Sequence, residues 1–499
     1  MKLLRLCMRG IAKRNPQSPH HMWVASTCVL SPLRRPPTVS QPQKMLVRSL
    51  SSLPGVPIPL APRSFPTSGF EVIDHSELME EEKLPGYMSE LYYPAYIGQV
   101  FNSRYRIVGK LGYGVTSTVW LARDLVEPDN PGYVALKIYV TGYTRGNEAA
   151  IYERINSVAA KSNHIGHELI RKFLSSFELE GPHGKHTCIV QQALGITMDH
   201  LMPYLENKVL PLDLVKQFFR QLLLGLDFLH SQAGIIHTDL QLKNLLLPVS
   251  NPLFYKEFED GEFNDPVPRK IYKDRTVYSS RYMTQDPQAL PFICDFGDAR
   301  FDDQEHDELI MPEPYRAPEI LLQMKWNNKV DIWSFAMVAW QLVAPRSLFS
   351  GLGTETNKYH DAHLLAEQHA VMGPAPPELA RRTKIYSVAN GKTSCLCQTS
   401  ITLEQLAEGI QGDEEQKAGF LRFIRRILRW LPEERPTAKD LFFDPWLIDG
   451  LGITEEQVED FREMWLEVDG EGEGEGVSVG GLAKVPYSDN QAIAVAAHS

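Results

Sequence analysis

Two short stretches constrain this 499-residue chain more than anything else in it: Ile235-Ile-His-Thr-Asp-Leu-Gln-Leu-Lys-Asn244 and Ile293-Cys-Asp-Phe-Gly297. An Asp followed five residues later by an Asn, with an Asp-Phe-Gly downstream, supplies a base (Asp239) and two oxygen ligands for Mg²⁺ (Asn244 and Asp295). Phosphoryl transfer asks little covalent chemistry of a protein; a base, metal ligands and a lysine clamp account for most of the work. A bare His-x-Asp also occurs in small-molecule phosphotransferases and in ordinary loops. The rest of the chain must therefore decide.

Upstream, Lys110-Leu-Gly-Tyr-Gly-Val-Thr-Ser-Thr-Val-Trp120 has the form of a nucleotide-covering loop between two strands. Gly112 and Gly114 let backbone N–H groups approach phosphates where a β-carbon would intrude. A lone Gly-x-Gly is usually a turn, but this one precedes Val134-Ala-Leu-Lys-Ile138, an apolar β-type run with one inward lysine. Lys137 is expected to pair the α- and β-phosphates, although a strand lysine taken alone is more often a solvated edge residue. Such a lysine needs an orienting carboxylate from a helix. Asn147-Glu-Ala-Ala-Ile-Tyr-Glu-Arg-Ile155 has helical apolar spacing, and Glu148 is the expected partner, with Glu153 as the alternative.

Leu214–Leu229 reads as a buried helix with Gln, Arg and Asp on its wetter side. Tyr315-Arg-Ala-Pro-Glu319, Val330-Asp-Ile-Trp-Ser334 and Glu434-Arg-Pro436 follow in order. Glu319 and Arg435 are expected to form a buried pair; with Asp331 they are structural rather than catalytic. This ordered set resembles a eukaryotic protein kinase over about residues 95–450. More narrowly it is similar to the serine/arginine-rich protein kinases, within the group that holds the cyclin-dependent and mitogen-activated kinases. Tyr93-Pro-Ala-Tyr-Ile-Gly98, Ser117–Asp124, Thr238, the Leu194-Gly195 pair, His363–Glu367 and Met372–Pro377 carry that narrower resemblance.

The resemblance implies an α+β bilobal fold: a small antiparallel β lobe with one key helix (105–192) and a larger, mostly α-helical lobe (193–447). It implies ATP and Mg²⁺ as cofactors. ATP contacts are expected from Leu111, Gly112, Gly114, Val119, Ala135, Lys137, Gln192, Leu194 and Leu246, with Asp239, Lys137 and Glu148 catalytic. Gln191 falls at the gatekeeper position, where its buried amide needs a partner or water. In the resembling family an insert between the catalytic loop and Asp-Phe-Gly governs localisation and docking; here it spans 248–290 and reads as an extended hairpin.

Besides the unusual polar gatekeeper Gln191, three departures stand out. Ser117 replaces the third glycine of the covering loop. Gln241 replaces the lysine that neutralises the transferred phosphoryl group, and Lys243, though near, points elsewhere in the usual geometry. Thr238 replaces the arginine that grips a phosphorylated activation segment. That segment, Asp295 to Glu319, contains no Ser or Thr, and its only hydroxyl is Tyr315. Without acceptor or arginine, switching by activation-loop phosphorylation has no obvious machinery. A constitutively competent enzyme is the expectation.

Charge is uneven along the chain. Residues 1–70 carry ten Lys/Arg and no Asp/Glu, while the remainder holds 41 basic and 62 acidic residues, a net of −21. Residues 1–90 read as a disordered basic tail. The acid-free start also resembles a mitochondrial transit peptide, so the expected compartment is cytoplasm and nucleus, with the mitochondrion as alternative. The acidic body, and above all Asp298, Asp302, Asp303, Glu305, Asp307, Glu308 and Glu313, should favour basic peptides, in line with the Arg/Ser-rich substrates the resemblance implies. A direct nucleic-acid partner is disfavoured by the same charge. With no run of eighteen apolar residues a membrane span is not expected, and the six scattered cysteines offer no zinc pattern. The default is a monomer. Residues 466–499, with their Gly-Glu repeats, are expected to be disordered. The leading reading is a protein Ser/Thr kinase; the alternative is a pseudokinase scaffold that binds nucleotide and partners without turnover.

Overall fold

The computed structural model describes residues 64–126, 132–143, 147–249, 251–283, 289–353, 356–383, 401–451 and 454–470. The chain divides into two units, residues 1–454 and 455–499. The second contributes one helix, Glu455–Gly470, whose first turn carries Glu455 and Glu456, acids that complement the N-terminal end of the helix dipole. Disorder expected from residue 466 is thus corrected as far as 470, and the remaining tail lies outside the described residues.

The first unit begins with a six-stranded antiparallel sheet in the order β1-β2-β3-β4-β6-β5. Its strands are β1 (Val100–Phe101), β2 (Tyr105–Tyr113), β3 (Ser117–Asp124), β4 (Tyr133–Tyr139), β5 (Phe173–Gly181) and β6 (Gly184–Gln192). Because side chains alternate, the pairing of Val119 with Lys137 and Leu121 with Ala135 puts these four on one face. Trp120, Ala122, Leu136 and Ile138 go to the other, where they join Ile107, Cys188 and Val190 in the lobe's main core. One helix, Glu148–Ala159, packs alongside; Asn147 caps it by accepting from the Ala150 N–H, and Ile151, Tyr152 and Ile155 form its buried stripe.

The larger part is helical. Leu212–Asp227 buries Leu212, Val215, Phe219, Leu222, Leu223 and Leu226, the spacing of one helical face. Phe219 meets Phe335 (ring centroids 5.5 Å apart) and Trp446 (6.2 Å), and Trp446 also meets Phe423 (5.4 Å). A β-carbon on Gly419 would lie 2.2 Å from the Trp446 ring, so this aromatic cluster requires glycine there.

Two expectations are corrected. The insert is more than a hairpin: a helix, Leu253–Asn264, precedes the paired strands β9 (Arg269–Ile271) and β10 (Thr276–Tyr278). Its helix packs Phe258 against β2 so closely that a β-carbon at Gly109 would lie 2.8 Å from the ring. Val267 and Tyr278 enter the sheet's main core, and Tyr255 donates to the Ala193 carbonyl (2.7 Å). Nor is the N-terminal segment free from residue 64 onward. Residues 71–73 run beside Arg269 of the insert. The acidic run at 80–82 finds donors on the insert and on β2: Glu82 pairs with Lys270 and Tyr272 and Glu80 with Ser280 of the insert, and Glu81 with Lys110 of β2. Three consecutive glutamates read as solvated; matched to buried lysines they tie the segment down.

Candidate active site

Lys137 projects from β4 toward two carboxylates, Glu148 at 3.0 Å and Asp295 at 2.7 Å. Glu148 opens the first turn of its helix and also accepts from the Phe296 N–H (3.1 Å) and the Tyr139 hydroxyl. Glu153, the alternative partner, is exposed. Partial burial pushes the Asp295 carboxyl up, but the Lys137 ammonium outweighs it and holds the group below the usual carboxylate range. For Lys137 burial acts downward, and the two carboxylates overcome it, keeping the ammonium charged. Tyr139 was not singled out from sequence, although lying two residues beyond Lys137 on one strand puts it on the same face.

The catalytic loop is held from below by Asp331, fully buried near the start of the helix Lys329–Val343. Its carboxylate accepts from the His237 N–H (2.7 Å), the Thr238 N–H (2.8 Å) and His230 Nε2 (2.8 Å). Thr238 has φ of 65° and Asp295 of 64°, a left-handed backbone that non-glycine residues adopt only where surroundings enforce it. Asn244 donates to Asp239 Oδ2 (2.7 Å) and to its carbonyl (2.8 Å). Gln241 donates to the other carboxylate oxygen, Oδ1. Burial raises the Asp239 pKa above its ordinary value, opposed by Lys243 and His237. Lys243 does not point away: the turn Leu242–Asn244 brings its Nζ to 4.0 Å from Asp239 Oδ2.

Short strands bring the two motifs together. β8 (Leu245–Leu246) pairs with β11 (Phe292–Ile293), and the Cys294 N–H donates to the Asn244 carbonyl (2.9 Å). Asn244 and Asp295 thus sit at the ends of adjoining strands. One amide and one carboxylate are hard oxygen donors of the kind Mg²⁺ takes together with substrate phosphates. Opposite them a β-carbon at Gly112 or Gly114 would meet nothing within 4 Å, so the covering loop borders open space. The residues fit a metal-bound nucleoside triphosphate.

Comparison with known families agrees. The model of the protein kinase domain matches residues 105–447. The chain is a protein kinase. A serine/threonine protein kinase of Aspergillus fumigatus is 39% identical over 398 residues, covering 78% of this chain and 96% of the relative. The serine/threonine-protein kinase SRPK of Physarum polycephalum is 30% identical, covering 74% and 92%. The yeast serine/threonine-protein kinase SKY1 is 40% identical over a shorter 178 residues, 34% of this chain and 24% of that one. A solved kinase-domain crystal structure aligns with a TM-score of 0.53 at 19% identity, covering 72% of this chain and 99% of the other; it shares the bilobal fold. The enzyme is an ATP-dependent protein serine/threonine kinase with SR-protein-kinase relatives, of a family that uses ATP and Mg²⁺.

The kinase's remaining expected ATP contacts lie on the sheet and on the strands next to the two motifs. Leu111, Gly112 and Gly114 belong to β2 and its turn, Val119 and Ala135 share the Lys137 face, and Leu246 lies on β8. Leu194 is buried behind the last strand. The Gln192 backbone is already engaged: its carbonyl accepts from Arg171 Nε (3.0 Å) and its N–H donates to Lys172 (2.9 Å). Gln191 pairs with Ala135 across the β6–β4 ladder. It is 1% exposed, and neither end of its amide has a partner among the described residues.

The kinase's activation segment is tethered by contacts to the catalytic loop and within itself. Thr238 donates to the Asp298 carbonyl (2.6 Å), while Arg300 bonds the same carbonyl (2.7 Å) and Glu308 (2.8 Å). β12 (Arg300–Phe301) pairs with β7 (Ile235–Ile236), and the Trp326 N–H donates to the His306 carbonyl (3.0 Å). Farther back, Glu319 and Arg435 form a bidentate pair at 2.6 and 2.7 Å with both side chains at 0% exposure. A second contact, absent from the sequence reading, reaches the covering loop: the Tyr92 hydroxyl lies 3.0 Å from the Gly114 carbonyl and 3.1 Å from that of Val115. Nothing in the spacing of Tyr92 signals it.

Proposed function

We propose that this kinase transfers the γ-phosphate of ATP to serine in basic, Arg/Ser-rich proteins, as a monomer competent without activation-segment phosphorylation. In this reading Asp239 orients the substrate hydroxyl and accepts its proton. Lys137, held by Glu148, positions the α- and β-phosphates, Asn244 and Asp295 hold Mg²⁺, and Gln192 to Leu194 line the adenine site. The convergence of Lys137, Asp239, Asn244 and Asp295 speaks for turnover rather than a scaffold role.

One observation carries the substrate class. Asp302, Asp303, Glu305, Asp307, Glu308 and Glu313 are all exposed on the segment beside the cleft. Its two arginines are occupied, Arg300 with Glu308 and Arg316 with Asp361 (2.9 Å). The lip therefore presents net negative charge, which attracts basic peptides and speeds their encounter at low salt. The SR-protein-kinase relatives support the same class. The tethering of the segment through Thr238 and Arg300 supports competence without phosphate. Placement in cytoplasm and nucleus, or in mitochondria, depends on residues 1–63, which lie outside the described residues.

The test is radiolabelled γ-phosphate transfer from ATP-Mg²⁺ to an Arg/Ser repeat peptide and an acidic control, with Asp239→Ala in parallel. Preference for the basic peptide, lost in the variant and unaffected by prior phosphatase treatment, is expected. Equal use of both peptides would sink the substrate class, and phosphatase-sensitive activity would sink the constitutive reading.

A further inference from the structure

The charge balance around Asp239 leaves one cation unexplained. Phosphoryl transfer spreads negative charge over the equatorial oxygens of the moving group, and fixed positive charge aimed there is a main source of rate. Lys137 is engaged by two carboxylates, Glu148 and Asp295. Gln241 is neutral, and its amide is committed to Asp239 Oδ1. On the other side of the same carboxylate stands Lys243, 4.0 Å from Oδ2 and 56% exposed. Its ammonium is the nearest cation to the base among the described residues, on a flexible, partly exposed stem.

We propose that Lys243 is a catalytic residue: its ammonium moves from beside Asp239 onto the transferred phosphoryl group and supplies the charge that Gln241 lacks. The substrate oxygen–phosphorus bond forms as the bond to the β-phosphate oxygen breaks. The hydroxyl proton passes to Asp239, and the electron pair leaves on ADP. Lys243 makes and breaks no covalent bond. Two sequence changes become one: a positive charge removed at position 241 is restored at 243, because the turn after Gln241 folds residue 243 back over residue 239. This inference rests on phosphoryl transfer itself, not on the basic-substrate reading.

The experiment measures kcat and KM in the full chain with Lys243→Met, Lys243→Arg and the double variant Gln241→Lys/Lys243→Met. Transfer to an Arg/Ser repeat peptide and slow ATP hydrolysis without peptide are followed together. Loss of one charge that stabilises the transition state lowers rate by about a hundredfold, and that drop in kcat is expected for Lys243→Met, with the KM for ATP little changed. Lys243→Arg should keep most of the rate. The double variant should recover to within about tenfold of the wild type, a rescue that a merely structural lysine would not show. Unchanged kcat in Lys243→Met, or an effect confined to the peptide KM, would overturn the proposal and make Lys243 a peptide contact. Loss of kcat with no rescue by Gln241→Lys, or a wild type that neither transfers nor hydrolyses, overturns it too. Hydrolysis that follows the expected pattern while the peptide goes unphosphorylated upholds Lys243 and refutes only the substrate class.

Discussion

Lys110 and Lys137 lie in the same sheet, on β2 and β4, both nearly buried, and both are met by carboxylates from other parts of the chain. Lys110 pairs with Glu81, lies 3.6 Å from Glu80 and donates to the Tyr278 carbonyl (3.1 Å). Lys137 pairs with Glu148 and Asp295. The difference lies in the partners. Glu81, on the N-terminal segment, is 8% exposed, whereas Asp295 is 44% exposed on the cleft. A buried ion pair enclosed on every side can only hold elements together. One whose carboxylate faces open space can share its charge with an incoming metal and phosphate. Residue type and strand position are the same; what surrounds the partner separates structure from chemistry.

This contrast can be broken by experiment. Lys137→Met should lower γ-phosphate transfer at least about a thousandfold, a loss of about 4 kcal/mol of transition-state stabilisation, with a smaller shift in melting temperature than its counterpart in β2. Lys110→Met leaves Glu81 buried and unpaired, and removing one member of a buried pair destabilises by about 3 kcal/mol. Denaturant titration should show that loss, while kcat per folded molecule stays near wild type. If Lys110→Met instead abolished transfer in a fully stable protein, the division between the two lysines would be wrong.

Smaller effects sharpen the picture. Tyr92→Phe removes the hydroxyl that holds the covering loop, worth about 1 kcal/mol; the KM for ATP should rise several-fold in initial-rate assays with stability nearly unchanged. Gln191→Met replaces a buried amide that has no partner among the described residues by an apolar side chain of similar length. Relief of an unsatisfied group should raise stability by about 1 kcal/mol, read as a higher denaturation midpoint. A lower midpoint would mean that the amide is satisfied in solution by water.

Much of this was legible in one dimension. Asp239, Asn244 and Asp295 carry their meaning in spacing, and Lys137 in an apolar strand. Glu148 was legible because a helix with apolar residues at 151, 152 and 155 leaves its first-turn carboxylate facing the sheet. Less legible were contacts whose donors and acceptors are remote in the chain. The Glu80-Glu81-Glu82 run looked like a solvated tail because Lys110, Lys270 and Ser280, which receive it, lie up to about 200 positions away. The usual loop geometry turns Lys243 away, and the local turn Leu242–Asn244 instead brings it to Asp239.

The sequence by itself determined the reaction class, the two-lobed fold and the short motifs that the fold brings together, because phosphoryl transfer demands particular residue types at short spacings. The tertiary structure alone decided which buried lysine faces the cleft, that the insert and the 64–92 segment brace the small lobe, and that Lys243 stands beside Asp239. Burial and charge pairing depend on groups that meet only after folding, and no spacing along the chain records them.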